Sequence, residues 1–358
     1  MTLLVIAASG FPDYTARLVR QLIQDFDGRV EVVATRPDVP VEGMEKSLGK
    51  SVHWITPADR GIKWDDLGLR PPDYLLLGGF FVPSFWALSQ QVRQAGGHLF
   101  LASDNNWTGS FRQKFLDNIR HRLMLRRHFS GVMTAGRSGI KYSSAMGYPS
   151  ERIVPGMYGA DPALFFDGPP ITERPKTFIY IGRLIRRKNV LGLARAFAKF
   201  HEVKSDWTLE MYGEGPDREE IPEHPAIKVH QFLQPKDVSE KLRNARCLVL
   251  PSRQEHWGVV VHEAALSGCA LALSNSIGSL EDFATPGNAV TFPSNDEEKM
   301  AIALHRIAGF SEDQWAIAQS ISRERGTQFG PKRFSAELRQ LIDLTAAALR
   351  PNQSKTTK

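Results

Sequence analysis

The sequence predicts an α/β protein made of two doubly wound domains, each with a parallel sheet covered by helices. Short apolar runs rich in β-branched residues alternate with longer amphipathic segments along most of the chain. This alternation favours parallel sheets, because each parallel strand needs a crossover that returns the chain to the same end of the sheet. The length of 358 residues suits two domains. Ligands of such sheets bind beyond the carboxyl ends of the strands, so we expect the site in a cleft where the domains face each other.

Each half of the chain supplies its own set of strands and helices. In the first half we predict strands at Leu3–Ala8, Val30–Thr35, Val52–Ile55, Tyr74–Leu77, His98–Ala102 and Gly131–Thr134, and helices at Tyr14–Phe26, Ser84–Ala95 and Phe111–Phe129. In the second half we predict strands at Thr177–Ile181, Trp207–Tyr212, Ile227–Phe232, Cys247–Leu250, Ala270–Leu273 and Ala289–Phe292, and helices at Val190–Val203, Lys236–Ala245, Val259–Leu266 and Asp296–Ile307.

The boundary between the halves is predicted from proline and glycine. Residues 167–176 carry three prolines and one glycine, a composition typical of linkers. We therefore expect an N-terminal domain over residues 1–168 and a C-terminal domain over residues 169–330. A C-terminal helix at 331–350 is expected to pack back on the N-terminal domain, and a disordered tail follows at 351–358.

Composition excludes several classes of protein. The chain is 42% hydrophobic and 23% charged, which excludes disordered and collagen-like proteins. We find no apolar run that approaches the ~18 residues of a membrane span. The two cysteines, Cys247 and Cys269, lie in apolar strand-like runs and predict buried thiols of a cytoplasmic protein. A net charge of +6 suits an anionic ligand or a membrane surface.

The sharpest motif spans residues 251–265, where a strand ends in a loop and a helix begins near Gly258. The first N–H groups of a helix lack intrahelical partners and sit at the positive end of its dipole, which makes them an anion site. Glu255 lies in the loop and Glu263 on the second turn of the helix, placed to contact vicinal hydroxyls of the same ligand. The alternative is an ordinary strand–loop–helix crossover with two solvated glutamates.

Two further strand ends carry motifs. Residues 182–188 read Gly-Arg-Leu-Ile-Arg-Arg-Lys, a basic loop that suits a pair of phosphates or forms a solvated turn. Residues 213–216 read Gly-Glu-Gly-Pro, a tight turn that leaves room for a nucleobase. The latter is a poor dinucleotide signature, because Arg218 stands where that motif needs its third glycine.

Together these three motifs resemble the retaining glycosyltransferases of family 4, which have the GT-B fold of two Rossmann-like domains. Glu255 and Glu263 match the Glu-x7-Glu motif of that family, and Gly182-Arg183 with Lys188 matches its Gly-Arg-x4-Lys loop. Gly278 and Glu281 stand where the family has a glycine and a glutamate after the next strand. Order and spacing agree from about residue 177 to 308, whereas the first half resembles the family only loosely.

The resemblance implies a role for each matched position. Arg183 and Lys188 would neutralise the departing diphosphate, Glu255 would contact the donor sugar, and Glu263 would bind the ribose hydroxyls. The implied catalytic residues are Arg183, Lys188 and Glu255, and the implied donor-binding residues are Gly182, Gly213, Gly215, Trp257, Gly258, Val259 and Glu263. A hexose would pass from UDP or GDP, with retention and without a metal or cofactor, to a glycan or lipid-linked acceptor in polysaccharide or glycolipid synthesis.

The sequence departs from the family pattern in its first half. Ser103 stands where family members often carry a histidine, and only Gly10 remains of the usual glycine-rich loop after the first strand. We assign contacts to the acceptor or the sugar to Ser103, Asp104, Asn105 and His256. An alternative function is therefore a catalytically silent GT-B scaffold in a polysaccharide-synthesis complex.

The evidence for a metal site and for a membrane-binding segment is weaker. Asp25-Phe26-Asp27 has the form of a metal-binding Asp-x-Asp, but its position predicts a solvated helix terminus. Residues 112–127 hold six basic residues and one acid, Asp117, and indicate either a membrane-facing surface at the inner face of the membrane or a solvated helix. The basic residues are Arg112, Lys114, Arg120, Arg122, Arg126 and Arg127. We expect no nucleic-acid partner, because the charge is dispersed and no nucleic-acid module is present.

Overall fold

The computed structural model describes residues 1–37 and 42–349, and these form two compact units. Unit 1 contains the chain up to Tyr158 and the C-terminal segment from Pro331 onward, and unit 2 runs from Gly159 to Gly330. The tail predicted at 351–358 lies outside the described residues. In the described part of the chain, no helix has the length and hydropathy needed to cross a bilayer.

Unit 1 is built on a seven-stranded sheet in the order β3-β2-β1-β4-β5-β6-β7, and all its strand pairs are parallel. The strands are β1 Leu3–Ala8, β2 Arg29–Ala34, β3 His53–Trp54, β4 Tyr74–Gly78, β5 His98–Ser103, β6 Gly131–Thr134 and β7 Ile153–Val154. The helices are Asp13–Asp25, Met44–Leu48, Pro83–Gln94, a continuous helical segment over 111–128, Arg137–Ala145 and Pro331–Leu349.

Apolar side chains cover both faces of this sheet, because neighbouring residues of a strand point to opposite faces. Val5 and Leu75 belong to one buried cluster. Leu4 belongs to the other, together with Phe334 and Leu338 of the helix Pro331–Leu349. The C-terminal helix therefore completes the core of unit 1, although more than 170 residues separate it from the rest of that unit in the sequence.

Unit 2 is built on a six-stranded parallel sheet in the order β10-β9-β8-β11-β12-β13. The strands are β8 Thr177–Ile181, β9 Thr208–Tyr212, β10 Ile227–His230, β11 Cys247–Leu250, β12 Ala270–Ser274 and β13 Ala289–Phe292. The helices are Val190–His201, Pro235–Arg243, Val259–Leu266, Leu280–Phe283, Glu297–Ala308 and Glu312–Gly326. An aromatic cluster of Phe178, Phe197, Phe200 and Trp207 packs under the first of these helices. The two parallel sheets confirm the predicted α/β class.

The boundary between the units lies ten residues earlier than the predicted break at 168/169. Residues 159–169 are held by unit 2, since the Ser239 hydroxyl donates to the Leu164 carbonyl at 2.7 Å. The guanidinium of Arg174 is buried and donates to the carbonyls of Pro169, at 2.9 Å, and Ala245, at 3.1 Å. The prolines of residues 167–176 therefore lie in turns fixed to unit 2 and do not form a free linker.

Candidate functional site

The strand order of unit 2 brings the two main motifs together. β8 lies between β9 and β11, and the chain leaves β8 toward β9 but returns later to form β11 on the other side. At such a switch point the loops after the two strands run in opposite directions and leave a crevice at the carboxyl edge of the sheet. Residues 182–189 follow β8 and residues 251–258 follow β11, so both predicted motifs border this crevice.

Lys188 and Glu255, 67 residues apart in the sequence, form an ion pair at this place. Their side chains are only 13% and 11% exposed. The Ser252 hydroxyl also donates to the Glu255 carboxylate, at 3.3 Å. The backbone N–H of Arg253 donates to the Arg187 carbonyl at 2.8 Å and fixes one loop against the other. The two charges are thus held by the loops on both sides and are largely shielded from solvent.

Asn189 fixes the end of the loop that carries Lys188. Its φ of 56° is left-handed, a conformation that asparagine tolerates better than most residues. Its side-chain amide donates to the Ser294 carbonyl at 2.8 Å and accepts from Arg253 at 3.2 Å. Sequence reasoning missed Asn189 and Ser252. The sequence offered a signal for both, because Asn189 directly follows the basic loop and Ser252 lies just after the end of a predicted strand.

The loop that carries Glu255 is tied to the segment after β12. The Glu255 N–H donates to the Ser276 carbonyl at 3.2 Å, and its carbonyl accepts from the Gly278 N–H at 3.0 Å. Gly278 therefore lies beside Glu255. The Trp257 indole is only 2% exposed and packs against Phe283 and Phe329, so it belongs to the core. Only the backbone of Trp257 remains available to a ligand.

The helix Val259–Leu266 begins directly after this loop. Gly258 precedes it with a left-handed φ of 81°, and a Cβ there would meet the Glu255 side chain at 3.1 Å. The first N–H groups of the helix lie beside the loop that holds Glu255. Glu263, on the second turn, is half-buried.

His262 lies in the core of unit 2 and is a structural residue. Its Nδ1 accepts from the Ala160 N–H at 2.8 Å, so its Nε2 carries the proton and donates to the Gly326 carbonyl at 2.8 Å. Burial lowers the pKa of His262 to about 4, and the ring is therefore neutral at pH 7.

Three glycines that follow β8 and β9 are predicted to bind the donor, and two of them, Gly213 and Gly215, are required by close backbone packing. A Cβ on Gly213 would lie 1.9 Å from the Gly182 carbonyl oxygen, and one on Gly215 would lie 2.2 Å from the Leu184 carbonyl oxygen. The Gly182 N–H donates to the Tyr212 carbonyl at 3.0 Å, and Leu184 donates to Glu214 at 2.8 Å. Because Gly213 and Gly215 have no side chains, the loops after β8 and β9 can pack closely against each other.

Arg218, which interrupts the dinucleotide pattern, has a role of its own. Its guanidinium donates to the carbonyls of Gly213 at 3.2 Å, Val229 at 3.1 Å and His230 at 2.7 Å. It therefore holds together the carboxyl ends of β9 and β10.

Arg183 is exposed at the end of β8. Its carbonyl accepts from the Tyr180 hydroxyl at 2.8 Å. Burial raises the pKa of Tyr180, and the nearby Glu255 carboxylate raises it further, so the hydroxyl keeps its proton and holds the loop. The Arg183 side chain is left at the surface, where an anion can reach it.

Unit 1 has a cavity of about 210 Å³ at the carboxyl ends of β1, β4 and β5. Asp104, Phe81 and Tyr158 line it, and the Tyr158 hydroxyl donates to the Asp104 carboxylate at 3.3 Å. Tyr14 contacts Tyr158 edge-on at a centroid distance of 5.8 Å. Sequence reasoning found Asp104 but missed the aromatic residues around it, because they lie far from it in the sequence.

The remaining predicted contacts are divided between the units. Ser103 ends β5 and is buried, and its hydroxyl accepts from the Asn105 amide at 3.3 Å. These two residues lie beside Asp104 in unit 1. His256 is half-buried next to Glu255 in unit 2.

The Asp-x-Asp lies at the end of a helix, as predicted. Asp25 is the last residue of Asp13–Asp25 and accepts from the Gln21 amide at 3.0 Å, and Asp27 is exposed. Over the described ranges, no three His, Cys, Asp or Glu side chains gather in a group that could hold a metal ion. Independence of metal stays a prediction.

Comparison with known proteins finds a family profile that matches part of this chain. Residues 164–319 match the family profile described as Glycosyl transferases group 1. Glycogen synthase of Mycobacterium tuberculosis (strain CDC 1551 / Oshkosh) is 29% identical over an alignment of 167 residues, which covers 43% of this chain and 39% of that protein. The chain thus matches well under half the length of this curated relative.

Solved structures extend the likeness to both units. HepE of Anabaena in complex with UDP has a TM-score of 0.73 at 14% identity, covering 98% of this chain and 100% of HepE. Sucrose-phosphate synthase of Thermosynechococcus elongatus has a TM-score of 0.68 at 17% identity, covering 97% and 100%. Residues 164–319 are therefore similar to glycosyl transferases group 1, and the two parallel sheets match the fold of GT-B glycosyltransferase structures.

Proposed function

We propose that this protein is a retaining glycosyltransferase of family 4, which moves a hexose from UDP or GDP to a glycan or lipid-linked acceptor. The observation that carries the proposal is the shielded Lys188–Glu255 pair, which lies between two strand-end loops and beside a helix N-terminus. The profile match over 164–319 and the UDP bound to HepE support a nucleotide-sugar donor. Polysaccharide or glycolipid synthesis in the cytoplasm is the setting we infer.

Donor binding in this proposal exchanges one anion for another. In the described structure the Lys188 ammonium faces the Glu255 carboxylate. A diphosphate that enters the crevice replaces Glu255 as the partner of Lys188, and Arg183 binds the same phosphates from the exposed side. The N–H groups of the first turn of Val259–Leu266 add fixed dipoles without a cost of reorganisation. The two cations and the N–H groups together stabilise the negative charge that grows on the diphosphate as it departs.

After the diphosphate has bound, Glu255 contacts the donor sugar. Once Lys188 binds phosphate, the Glu255 carboxylate is available to hydroxyl groups of the donor sugar. The sugar ring gains positive charge as the bond to the diphosphate lengthens, and a fixed carboxylate strengthens its interaction with the ring at that moment. The acceptor hydroxyl attacks from the face that the diphosphate leaves, so the configuration is retained, and its proton passes to the oxygen of the departing diphosphate. Glu263 binds the ribose hydroxyls.

The cavity of unit 1 has the chemistry of an acceptor site. Asp104 can accept hydrogen bonds from hydroxyl groups, and Phe81, Tyr14 and Tyr158 offer aromatic surfaces on which the apolar face of a sugar packs. The exposed ring of Phe81 lies at its rim. We therefore assign the acceptor to this cavity, with Ser103 and Asn105 at its border.

The central test removes the Lys188 charge. We expect Lys188→Ala to lower turnover by about 10²–10³-fold, as is typical for the loss of one electrostatic group that acts on the transition state. Turnover is measured with the donor that raises the melting temperature most in a panel of UDP, GDP, ADP and their sugars. Lys199→Ala, at an exposed position of unit 2, is the matched control.

Two outcomes would contradict the proposal. Wild-type turnover in Lys188→Ala would remove Lys188 from the reaction. Nucleotide binding by the wild type without transfer or hydrolysis of any donor would favour the silent scaffold. Activity in EDTA checks the proposed independence of metal, and the anomeric configuration of the product checks retention.

A further inference from the structure

The helical segment 111–128 of unit 1 turns a row of large apolar side chains toward solvent. Phe111 is 72% exposed, Phe115 51%, Ile119 55% and Leu123 64%. The rings of Phe111 and Phe115 contact each other at a centroid distance of 4.5 Å. Leu116 and Met124 beside this row are also exposed. We call Phe111, Phe115, Ile119 and Leu123 the apolar stripe.

The backbone of the segment keeps this stripe straight. Its residues recur every fourth position, whereas an α-helix has 3.6 residues per turn and a four-residue repeat would drift around it. Two stretches, Gln113–Asp117 and His121–Leu125, form wider π-turns, and they alternate with the α-turns Asn118–Arg120 and Arg126–His128. The wider turns rotate the repeat in the opposite direction, so the four side chains share one face.

The opposite face of the segment packs on unit 1 through polar as well as apolar groups. His121, Leu125 and His128 are buried. The Asn118 amide donates to the Ala145 carbonyl at 2.7 Å, and the Nε2 atom of His128 lies 3.0 Å from the Ser89 hydroxyl. Histidine and asparagine thus face inward while phenylalanine, isoleucine and leucine face outward. The outward face is too apolar to be explained by solvation of the helix.

Basic residues flank the apolar stripe. Six Lys or Arg and a single acid lie between residues 111 and 128. Arg112, Lys114, Arg126 and Arg127 are exposed. The side chains of Arg120 and Arg122 lie outside the described residues. The acid, Asp117, faces the Arg112 guanidinium at 3.6 Å.

We propose that the apolar stripe docks this protein on an anionic membrane surface. An apolar face flanked by cations is the pattern of a helix that lies in the interface of a bilayer, with its apolar side chains below the headgroups and its cations among anionic lipids. A two-fold contact between copies would instead place these cations against each other. Charge complementarity therefore favours a lipid surface over a second copy of the chain. The interface is independent of sugar transfer, because the stripe contains none of the proposed donor or acceptor residues.

The test measures sedimentation of the full-length protein with vesicles. We expect binding to vesicles that contain phosphatidylglycerol, weak binding to pure phosphatidylcholine, and loss of binding as salt rises. The variant Phe115→Ser with Ile119→Ser and Leu123→Ser should bind at least about tenfold more weakly, because three apolar side chains no longer leave water. The matched control changes Val203, Ile302 and Ile317 of unit 2 to serine, at exposures of 73%, 58% and 52%.

The control variant should bind vesicles like the wild type, and both variants should keep the wild-type melting temperature, because all six positions are exposed. No binding of the wild type to phosphatidylglycerol vesicles would overturn the proposal. Equal losses in the stripe and control variants would overturn it as well. A dimer that the stripe variant abolishes, in a protein that ignores vesicles, would identify the face as a contact between copies.

Discussion

At the scale of single residues, the proposed function depends most on the ion pair between Lys188 and Glu255. A buried charge without a partner is costly, so each of these groups stabilises the other before any ligand arrives. Removing Glu255 therefore takes the counter-ion from a lysine that is only 13% exposed, and removing Lys188 takes the ammonium from a carboxylate that is only 11% exposed. For this reason the conservative variant Glu255→Gln is preferred to alanine in tests of this position.

We expect the two glutamates of the motif to affect different kinetic constants. Glu263→Ala should mainly raise the donor KM, because ribose hydroxyls change little between the ground and transition states. Glu255→Gln should mainly lower kcat, because the proposed role of Glu255 is to contact a sugar that gains charge in the transition state. Steady-state profiles and calorimetric binding of the free nucleotide diphosphate to each variant measure the two effects.

A matched control for this pair is Glu240→Ala, at an exposed position of a neighbouring helix. Normal nucleotide binding by Glu263→Ala would refute its assignment to the ribose. Loss of nucleotide affinity as the chief defect of Glu255→Gln would show that Glu255 acts through Lys188 alone.

At the scale of elements, the loops after β8 and β9 depend on each other because their backbones are in close contact. We expect Gly213→Ala to destabilise the protein by about 2–4 kcal/mol, because its Cβ would overlap the Gly182 carbonyl oxygen and force both loops apart. Gly96→Ala is the control, since Gly96 has a φ of 83° but nothing within 4 Å of its Cβ position. It should cost only the strain of the left-handed backbone, about 1–2 kcal/mol. Chemical denaturation of both variants measures the difference. Equal losses of stability would mean that the loops do not depend on this close packing.

The strands were the most predictable elements. Cys247–Leu250 is a continuous apolar run, as is typical of a buried parallel strand, and its predicted and observed bounds agree. The short outer strand β3, predicted at Val52–Ile55, is observed only at His53–Trp54. The sequence did not reveal β7, which has only two residues, or the helix Arg137–Ala145, whose serines and glycine give a poor helical pattern. Sequence reasoning offered a membrane-facing surface at 112–127 from the basic residues alone, and it missed the apolar stripe because the π-turns are not visible in the sequence.

The candidate site was predictable only in part. The positions of Lys188 and Glu255 followed from their motifs, but their direct pairing depends on β8 and β11 being neighbours, which no local pattern encodes. The aromatic wall around Asp104 comes from residues as distant as Tyr14 and Tyr158. The spacing of residues in the motifs therefore predicted which side chains belong to the site, whereas the order of strands in the sheet determined which of them are in contact.

At the scale of the whole molecule, each unit contains a buried histidine whose pKa is lowered, His128 in unit 1 and His262 in unit 2. Burial lowers the pKa of both to about 4, and Arg93 contributes at His128. In the unfolded chain the pKa is near 6.5, so between these pH values the unfolded state binds more protons than the folded state. Stability is therefore complete above about pH 6.5 and falls as the pH decreases toward 4, by about 3 kcal/mol for the fully buried His262.

Thermal melts from pH 7 to pH 4 test this acid sensitivity. His128→Gln and His262→Gln should each flatten part of the decline, and the double variant most of it, because glutamine does not titrate. The slopes are compared rather than the absolute melting temperatures, since each substitution also disturbs hydrogen bonds. An unchanged slope in the double variant would assign the acid sensitivity to other groups.

The interlocked glycines have a consequence for how this chain evolves. We expect selection to remove substitutions at Gly213 or Gly215, whether or not the protein transfers sugar, because a Cβ there would overlap a carbonyl oxygen of the neighbouring loop. Under the proposed function, we expect substitutions at Lys188 and Glu255 to be removed only while the reaction is needed, since a jointly replaced pair leaves no buried charge behind. In homologues that no longer need the proposed reaction, we expect the ion pair to be lost first and the glycines to be retained because the fold requires them.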